Sequence, residues 1–175
     1  MATAAAHPLV FLDIDGVLNR TMHATHIRLD DDLVERLRRL ILDTGAKIVL
    51  STFWRHFSEY ITYILHRHGL PADVVIGVTP GISGASSLAA DARDDIHYAS
   101  RAAEIHAWRS AHPEYAACPF VILDDRPSAS DDALASCFVR TDATTGLTEA
   151  DADACRALLL SALRVPAGAV SDHGR

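Results

Sequence analysis

Short, continuously apolar runs alternate along the chain with stretches whose apolar residues recur at helical spacing. Leu9-Val10-Phe11-Leu12 is the first run and predicts a buried strand. Behind Asp30 or Asp31 as N-cap, Leu33, Leu37, Leu40 and Ile41 share one face of a helix over 30–43, which Gly45 is placed to end. Ile48-Val49-Leu50 predicts the second strand. A second amphipathic helix carries Phe57, Tyr60, Ile61, Ile64 and Leu65 and stops at Gly69 and Pro71. Val74-Val75-Ile76 predicts a third strand, and Pro80, Gly81 and Gly84 with nearby Ser and Ala mark a loop. Ile105 and Trp108 sit on a helix running to about Ala111. Phe120-Val121-Ile122-Leu123 is the fourth strand and Phe138-Val139 a shorter fifth. Thr148 with Asp151 has the form of a capping box, opening a last helix that Pro166 closes.

Strands apolar on both faces and separated by helices predict an α/β fold: a doubly wound, Rossmann-like parallel sheet of about five strands flanked by helices. No internal repeat interrupts it. The 175 residues are read as one domain over 8–165, with an N-terminal extension, 1–7, and a C-terminal tail, 166–175. Sixteen basic against twenty-three acidic residues give a formal charge of -7, which argues against holding nucleic acid through an extended basic surface. A small phosphate-recognising pocket remains compatible with it. No apolar run approaches the roughly 20 residues that span a bilayer. The first residues also lack the basic flank and apolar stretch of a signal peptide, so the expected location is cytoplasmic, with no membrane contact. Cys118, Cys137 and Cys155 are too widely spaced for a zinc ribbon or a CxxC pair and are expected to be reduced, small core residues.

In open α/β sheets ligands bind just outside the carboxyl ends of the strands. Strand one is followed by Asp13-Ile14-Asp15-Gly16, strand two by Ser51-Thr52 and strand four by Asp124-Asp125. Two carboxylates about 4 Å apart repel by roughly 4 kcal/mol at an effective dielectric near 20. Such a cluster calls for a cation, and hard oxygen donors without Cys or His at matching spacing point to Mg²⁺. A turn or a helix cap would explain any one of these acids, but poorly explains all the strand ends together.

Val10-Phe11-Leu12-Asp13-Ile14-Asp15-Gly16-Val17-Leu18-Asn19 resembles the first motif of the haloacid dehalogenase-like (HAD) superfamily. Ser51 or Thr52, a later basic residue, and Asp124-Asp125 resemble its second, third and fourth motifs in chain order. Trp54-Arg55, the Glu104-Ile105…Trp108 helix and Thr141–Thr148 are similar, more narrowly, to the HAD domain of Swiss-army-knife RNA repair proteins. The resemblance covers about residues 8 to 163 and implies a Mg²⁺-dependent phosphatase working through an aspartyl-phosphate. Carried over by position, Asp13 is the nucleophile and Asp15 the general acid and base. Gly16 allows the tight turn that leaves the strand. Ser51 binds a phosphate oxygen, with Thr52 as the competing assignment. The implied metal set is Asp13, the Asp15 carbonyl, Asp124 and Asp125.

The third motif departs from the family, which has Lys there. The only lysine, Lys47, lies at the opposite end of strand two. Arg101, at the start of the helix before strand four, matches the motif best, with Arg93 and Arg126 as rivals. Arg holds phosphate bidentately but is geometrically stricter than Lys. Arg55 is a second candidate phosphate contact, set against a solvated first-turn arginine. His23 and His26 form an HxxH pair read as exposed loop histidines, and His66 and His68 sit near a helix C-terminus. Asn19 is placed to stabilise the turn after Gly16, and Trp108 to pack its helix onto the sheet. The ten residues between Asn19 and Asp30, and the stretch Thr79–Ala99, are too short for a large cap domain. A capless or minimally capped, open site is therefore expected, for a phosphorylated small molecule or nucleic-acid end. A non-catalytic Mg²⁺ or phosphate-binding module and a phosphotransferase to another acceptor remain as alternatives, and the oligomeric state is left open.

Overall fold

The computed structural model describes residues 7–21, 25–81 and 100–163. Five strands are all parallel: β1 (Leu9–Leu12), β2 (Lys47–Leu50), β3 (Val75–Val78), β4 (Phe120–Asp124) and β5 (Phe138–Arg140), in the spatial order β3-β2-β1-β4-β5. The helices are α1 (Asp31–Thr44), α2 (Ser58–Arg67), α3 (Arg101–Ala111) and α4 (Glu149–Leu163). The chain is thus the doubly wound α/β fold that the apolar runs predict.

β1 is central, pairing with β2 and β4 from Leu9 to Leu12, which is why all four of its residues are buried. Successive strand residues face opposite sides. Val10 and Leu12 join Leu37, Leu40 and Leu159 in one cluster, while Leu9 and Phe11 join Ile105 and Trp108 in another. Phe11 is fully buried and meets Trp108 and Phe120 edge-on, with ring centroids 5.5 and 5.8 Å apart. Trp108 therefore packs α3 onto the sheet, as its spacing predicts. Burying such a ring stabilises by about 3 kcal/mol.

The helix ends follow their local chemistry. Asp30 stands at the N-cap of α1, but its carboxylate pairs with Arg20 and Arg28 rather than with the helix backbone. Thr148 and Asp151 do form a reciprocal box: Thr148 N donates to Asp151 Oδ2 at 2.9 Å, and Asp151 N to Thr148 Oγ1 at 3.2 Å. Ser100 caps α3 by accepting from Ala103 N at 3.1 Å. That cap sets the first turn on which Arg101 lies.

Three local expectations are corrected. Phe57 lies in a 3₁₀ turn before α2, and both Phe57 and Tyr60 are half exposed; only Ile61 and Leu65 of that helix are buried. β3 runs Val75–Val78, displaced from the predicted 74–76, and forms one edge of the sheet. An edge strand covers fewer neighbours, so its hydrophobicity marks its bounds poorly. Cys118 and Cys155 are buried and Cys137 is only half-buried. No helix among the described residues is long and apolar enough to cross a membrane. Pro166, His23, Arg93, most of the proposed loop after Pro80, residues 1–6 of the N-terminal extension and the C-terminal tail lie outside the described residues.

Candidate active site

The carboxyl ends of β1, β2 and β4 converge because the three strands are adjacent and in register. Asp13 N donates to Leu123 O at 3.0 Å, and Ser51 N to Leu12 O at 2.8 Å, so the pairing continues to the residues that leave the sheet. Asp13, Ser51, Thr52 and Asp124 are all buried polar residues at this edge.

Arg101 ties them together. Its Nη1 lies 2.8 Å from Asp13 Oδ2 and 2.9 Å from Asp124 Oδ2, and donates to Ser51 O at 2.5 Å. The second oxygen of each acid meets backbone: Ile14 N donates to Asp13 Oδ1 and Arg126 N to Asp124 Oδ1, both at 2.8 Å. Burial raises the Asp13 carboxyl above its ordinary range against the opposing pull of Arg101, the Ile14 amide and the Thr52 hydroxyl. Burial, then the Asp13 charge, pushes Asp124 up to about 7. Burial works against the charge of Arg101, yet Asp13 and Asp124 outweigh it and keep the guanidinium firmly protonated.

Asp125 completes the cluster. Carboxylate oxygens of Asp13, Asp124 and Asp125 all lie within 4.8 Å of one another. Three acids crowd one guanidinium in a buried place, where burial and mutual repulsion oppose their ionisation. Asp125 Oδ1 and Ser51 Oγ are both buried and without a hydrogen-bond partner. Orphaned buried groups of this kind are uncommon and demand an explanation. A hard divalent cation such as Mg²⁺ fits the oxygen donors, and a phosphate oxygen fits the hydroxyl. Gly16 makes the close approach possible: its φ is +72°, and a Cβ there would stand 2.7 Å from Asp125 Cγ.

Asp15 is held apart from that cluster. Asn19 Nδ2 donates to its Oδ1 at 2.8 Å and Trp54 Nε1 to its Oδ2 at 3.0 Å. Asn19 also accepts from Gly16 N at 3.1 Å, the turn contact its position predicts. Thr52 is engaged, accepting from Trp54 N at 3.3 Å and bonding Asp13, whereas Ser51 Oγ is unengaged. Of the two hydroxyls, Ser51 is the one with a free lone pair and proton to offer a ligand.

Arg55 departs from its expected role. Its side chain is buried and turned into the protein: Nε donates to Thr52 O at 2.8 Å, Nη1 to Pro80 O at 2.8 Å and Nη2 to Glu104 Oε2 at 2.7 Å. Each guanidinium nitrogen is thus engaged by the protein itself. The group links the turn after β2 to the end of β3 and to α3, one turn from Arg101. Gly81 leaves room for it, since a Cβ there would stand 2.0 Å from Arg55 Nη1. Arg126, the rival to Arg101, is about half exposed, 4.0 Å from Asp125 Oδ1. Lys47 pairs with Asp73 at 2.8 Å at the opposite end of β2. His26 is exposed, and among the described residues the only group of three or more potential metal ligands is the aspartate cluster.

Sequence reasoning gave no chemical role to Trp54, Glu104 or Gly81. Trp54 had a signal, standing two residues beyond Thr52 at the active edge. The Arg55–Glu104 pair had none, because 49 residues separate its partners.

No curated protein and no solved structure matches the chain. A family model does, over residues 9–152, a span that contains every one of the clustered acids, Ser51 and Arg101. By that match the chain belongs to the family of the HAD domain in Swiss Army Knife RNA repair proteins, a HAD-type, hydrolase-like fold.

Proposed function

We propose that this protein is a Mg²⁺-dependent phosphatase that hydrolyses a phosphomonoester, carried on a small molecule or a nucleic-acid end, through an aspartyl-phosphate on Asp13. The observation that carries the reading is the buried cluster itself: paired orphans, Asp125 Oδ1 and Ser51 Oγ, beside two acids that share one arginine nitrogen. Asp13, Asp124, Asp125 and the Asp15 carbonyl would hold the Mg²⁺. Bound there, it would offset the negative charge of the incoming phosphate.

The chain's own residues divide the remaining work. An oxygen of Asp13 bonds to phosphorus as the ester P–O bond breaks, and Asp15 gives its proton to the departing oxygen. Asp15 then takes a proton from water, whose oxygen bonds to phosphorus and releases Asp13. Ser51 Oγ donates to a non-bridging phosphate oxygen. Arg101 orients Asp13 and Asp124 and lends positive charge where the usual lysine is missing.

Phosphate release from a panel of phosphoesters, including 3′- and 5′-phosphorylated oligonucleotides, tests this with and without Mg²⁺. Turnover that needs both the metal and Asp13, lost in Asp13→Asn, is the expected result. A folded, Mg²⁺-binding protein that releases phosphate from no ester overturns it.

A further inference from the structure

Asp15 has a grip that its motif does not account for. Both of its oxygens accept an N–H: Oδ1 from Asn19 Nδ2 at 2.8 Å and Oδ2 from Trp54 Nε1 at 3.0 Å. The two donors are themselves fixed. Asn19 is buried, accepts from Gly16 N and gives its amide also to Arg28 O at 3.0 Å, which settles which end of the amide faces Asp15. The Trp54 ring meets Phe53 edge-on at 5.9 Å and Phe57 at 6.2 Å, and its backbone N donates to Thr52 Oγ1.

Neither an indole N–H nor a carboxamide exchanges a proton with Asp15 at neutral pH. These groups therefore add nothing to the supply of protons; what they set is direction. An indole N–H only donates, so it engages a lone pair of Oδ2 whether Asp15 is charged or neutral. With Asn19 on the other oxygen, the plane of the carboxyl group is determined.

We infer that Trp54, with Asn19, is a positioning residue that orients Asp15 for proton transfer to and from the leaving-group side of the site. The inference rests on the phosphatase reading above. In the first half-reaction the bond from Asp13 to phosphorus forms, the ester bond breaks, and the Asp15 proton goes to the departing oxygen. Misaligning Asp15 leaves Asp13, Ser51 and Arg101 in place. The loss must then scale with how badly the departing oxygen needs a proton. An alkoxide needs it greatly; a nitrophenolate hardly at all.

The test compares kcat/KM for wild type, Trp54→Phe and Asp15→Asn with Mg²⁺, on esters running from nitrophenyl to simple alkyl phosphates. Trp54→Phe keeps a ring against Phe53 and Phe57 while deleting the N–H, and its thermal midpoint confirms that it folds. General acid catalysis contributes about 10²–10⁴-fold, and a misaligned acid retains part of it. The expected result is about a 10-fold loss on the alkyl ester, a several-fold smaller loss on the nitrophenyl ester, little change in KM, and the same trend, larger, in Asp15→Asn. An active wild type whose Trp54→Phe variant is slowed equally on every ester, or not at all, overturns this assignment alone. A wild type that turns over none of the esters removes the phosphatase reading and this assignment with it.

Discussion

The two ends of β2 carry opposite kinds of polar chemistry. At its start Lys47 meets Asp73, a carboxylate four-fifths exposed, in a pair that water largely screens. At its finish Ser51 is buried with an unpartnered hydroxyl, beside two buried acids and the half-buried Arg101. The surface repeats the first pattern often. Asp32 sits between Arg20 and Arg36, and those hydrogen bonds hold its carboxyl far below the ordinary range. Such networks are satisfied and local. The carboxyl edge of the sheet instead holds Asp13 and Asp124 in forms that burial pushes upward, and leaves Asp125 short of a partner. A fold gains nothing by burying unmatched acids, so the unmatched end supports the proposed ligand site.

Breaking the contrast at its strongest point means removing the proposed nucleophile. Asp13→Asn is expected to lower phosphate release by on the order of 10³-fold or more. The thermal midpoint of the metal-free protein should hold or rise, because a disfavoured buried charge is gone. Calorimetry alongside the activity assay checks both halves; a large drop in the midpoint would make Asp13 a structural residue.

Arg55→Ala attacks a buried pair that is satisfied. Its side chain is 7% exposed and that of Glu104 14%, so the variant strands a half-buried carboxylate and two carbonyls. A loss of about 3–5 kcal/mol in denaturant-induced unfolding is expected. This sign is opposite to that for Asp13→Asn, which sharpens the distinction between a completed and an incomplete buried site.

The pH dependence of the metal-free protein separates the two regions again. Asp124 has a folded value near 7, above its ordinary 3.8, so the folded state binds the extra proton. Its contribution to stability is full below about pH 4 and is lost as pH rises through 7, a change on the order of a few kcal/mol. Paired surface carboxylates such as Asp32, Glu35 and Asp73 are lowered by their basic partners, so theirs is present above about pH 4 and lost as pH falls below it. Unfolding midpoints measured with a chelator from pH 4 to 8 should therefore decline, and Asp124→Asn should flatten the decline. A flat wild-type profile would contradict it.

The smallest effect belongs to the screened end. Lys47→Ala is expected to change stability by less than about 1 kcal/mol and to leave phosphate release intact. A measurable loss of activity would mean that the two ends of β2 are coupled in a way the separate chemistry does not predict.

Much of the site was legible because it follows directly on strands. Asp13, Ser51 and Asp124 each come straight after, or end, a run of apolar residues, and adjacent parallel strands must bring those positions to one edge. Arg101 was reachable as the basic residue opening the helix before β4. The partner of Arg55 is not legible, because a first-turn arginine looks the same in sequence whether it faces water, a phosphate or Glu104. The choice between Ser51 and Thr52 likewise turned on which hydroxyl already had a partner, a fact that no spacing encodes.

The amino-acid sequence by itself determined the parallel α/β sheet, the edge where chemistry gathers and the acids that gather there, since strand hydrophobicity and chain order are local properties. The tertiary structure alone decided which polar groups are spent on the protein and which are left over. Glu104 completes Arg55, Trp54 and Asn19 grip Asp15, and Asp125 and Ser51 remain unsatisfied. Those outcomes depend on burial and on partners far away in the chain, and neither exists until the elements have packed.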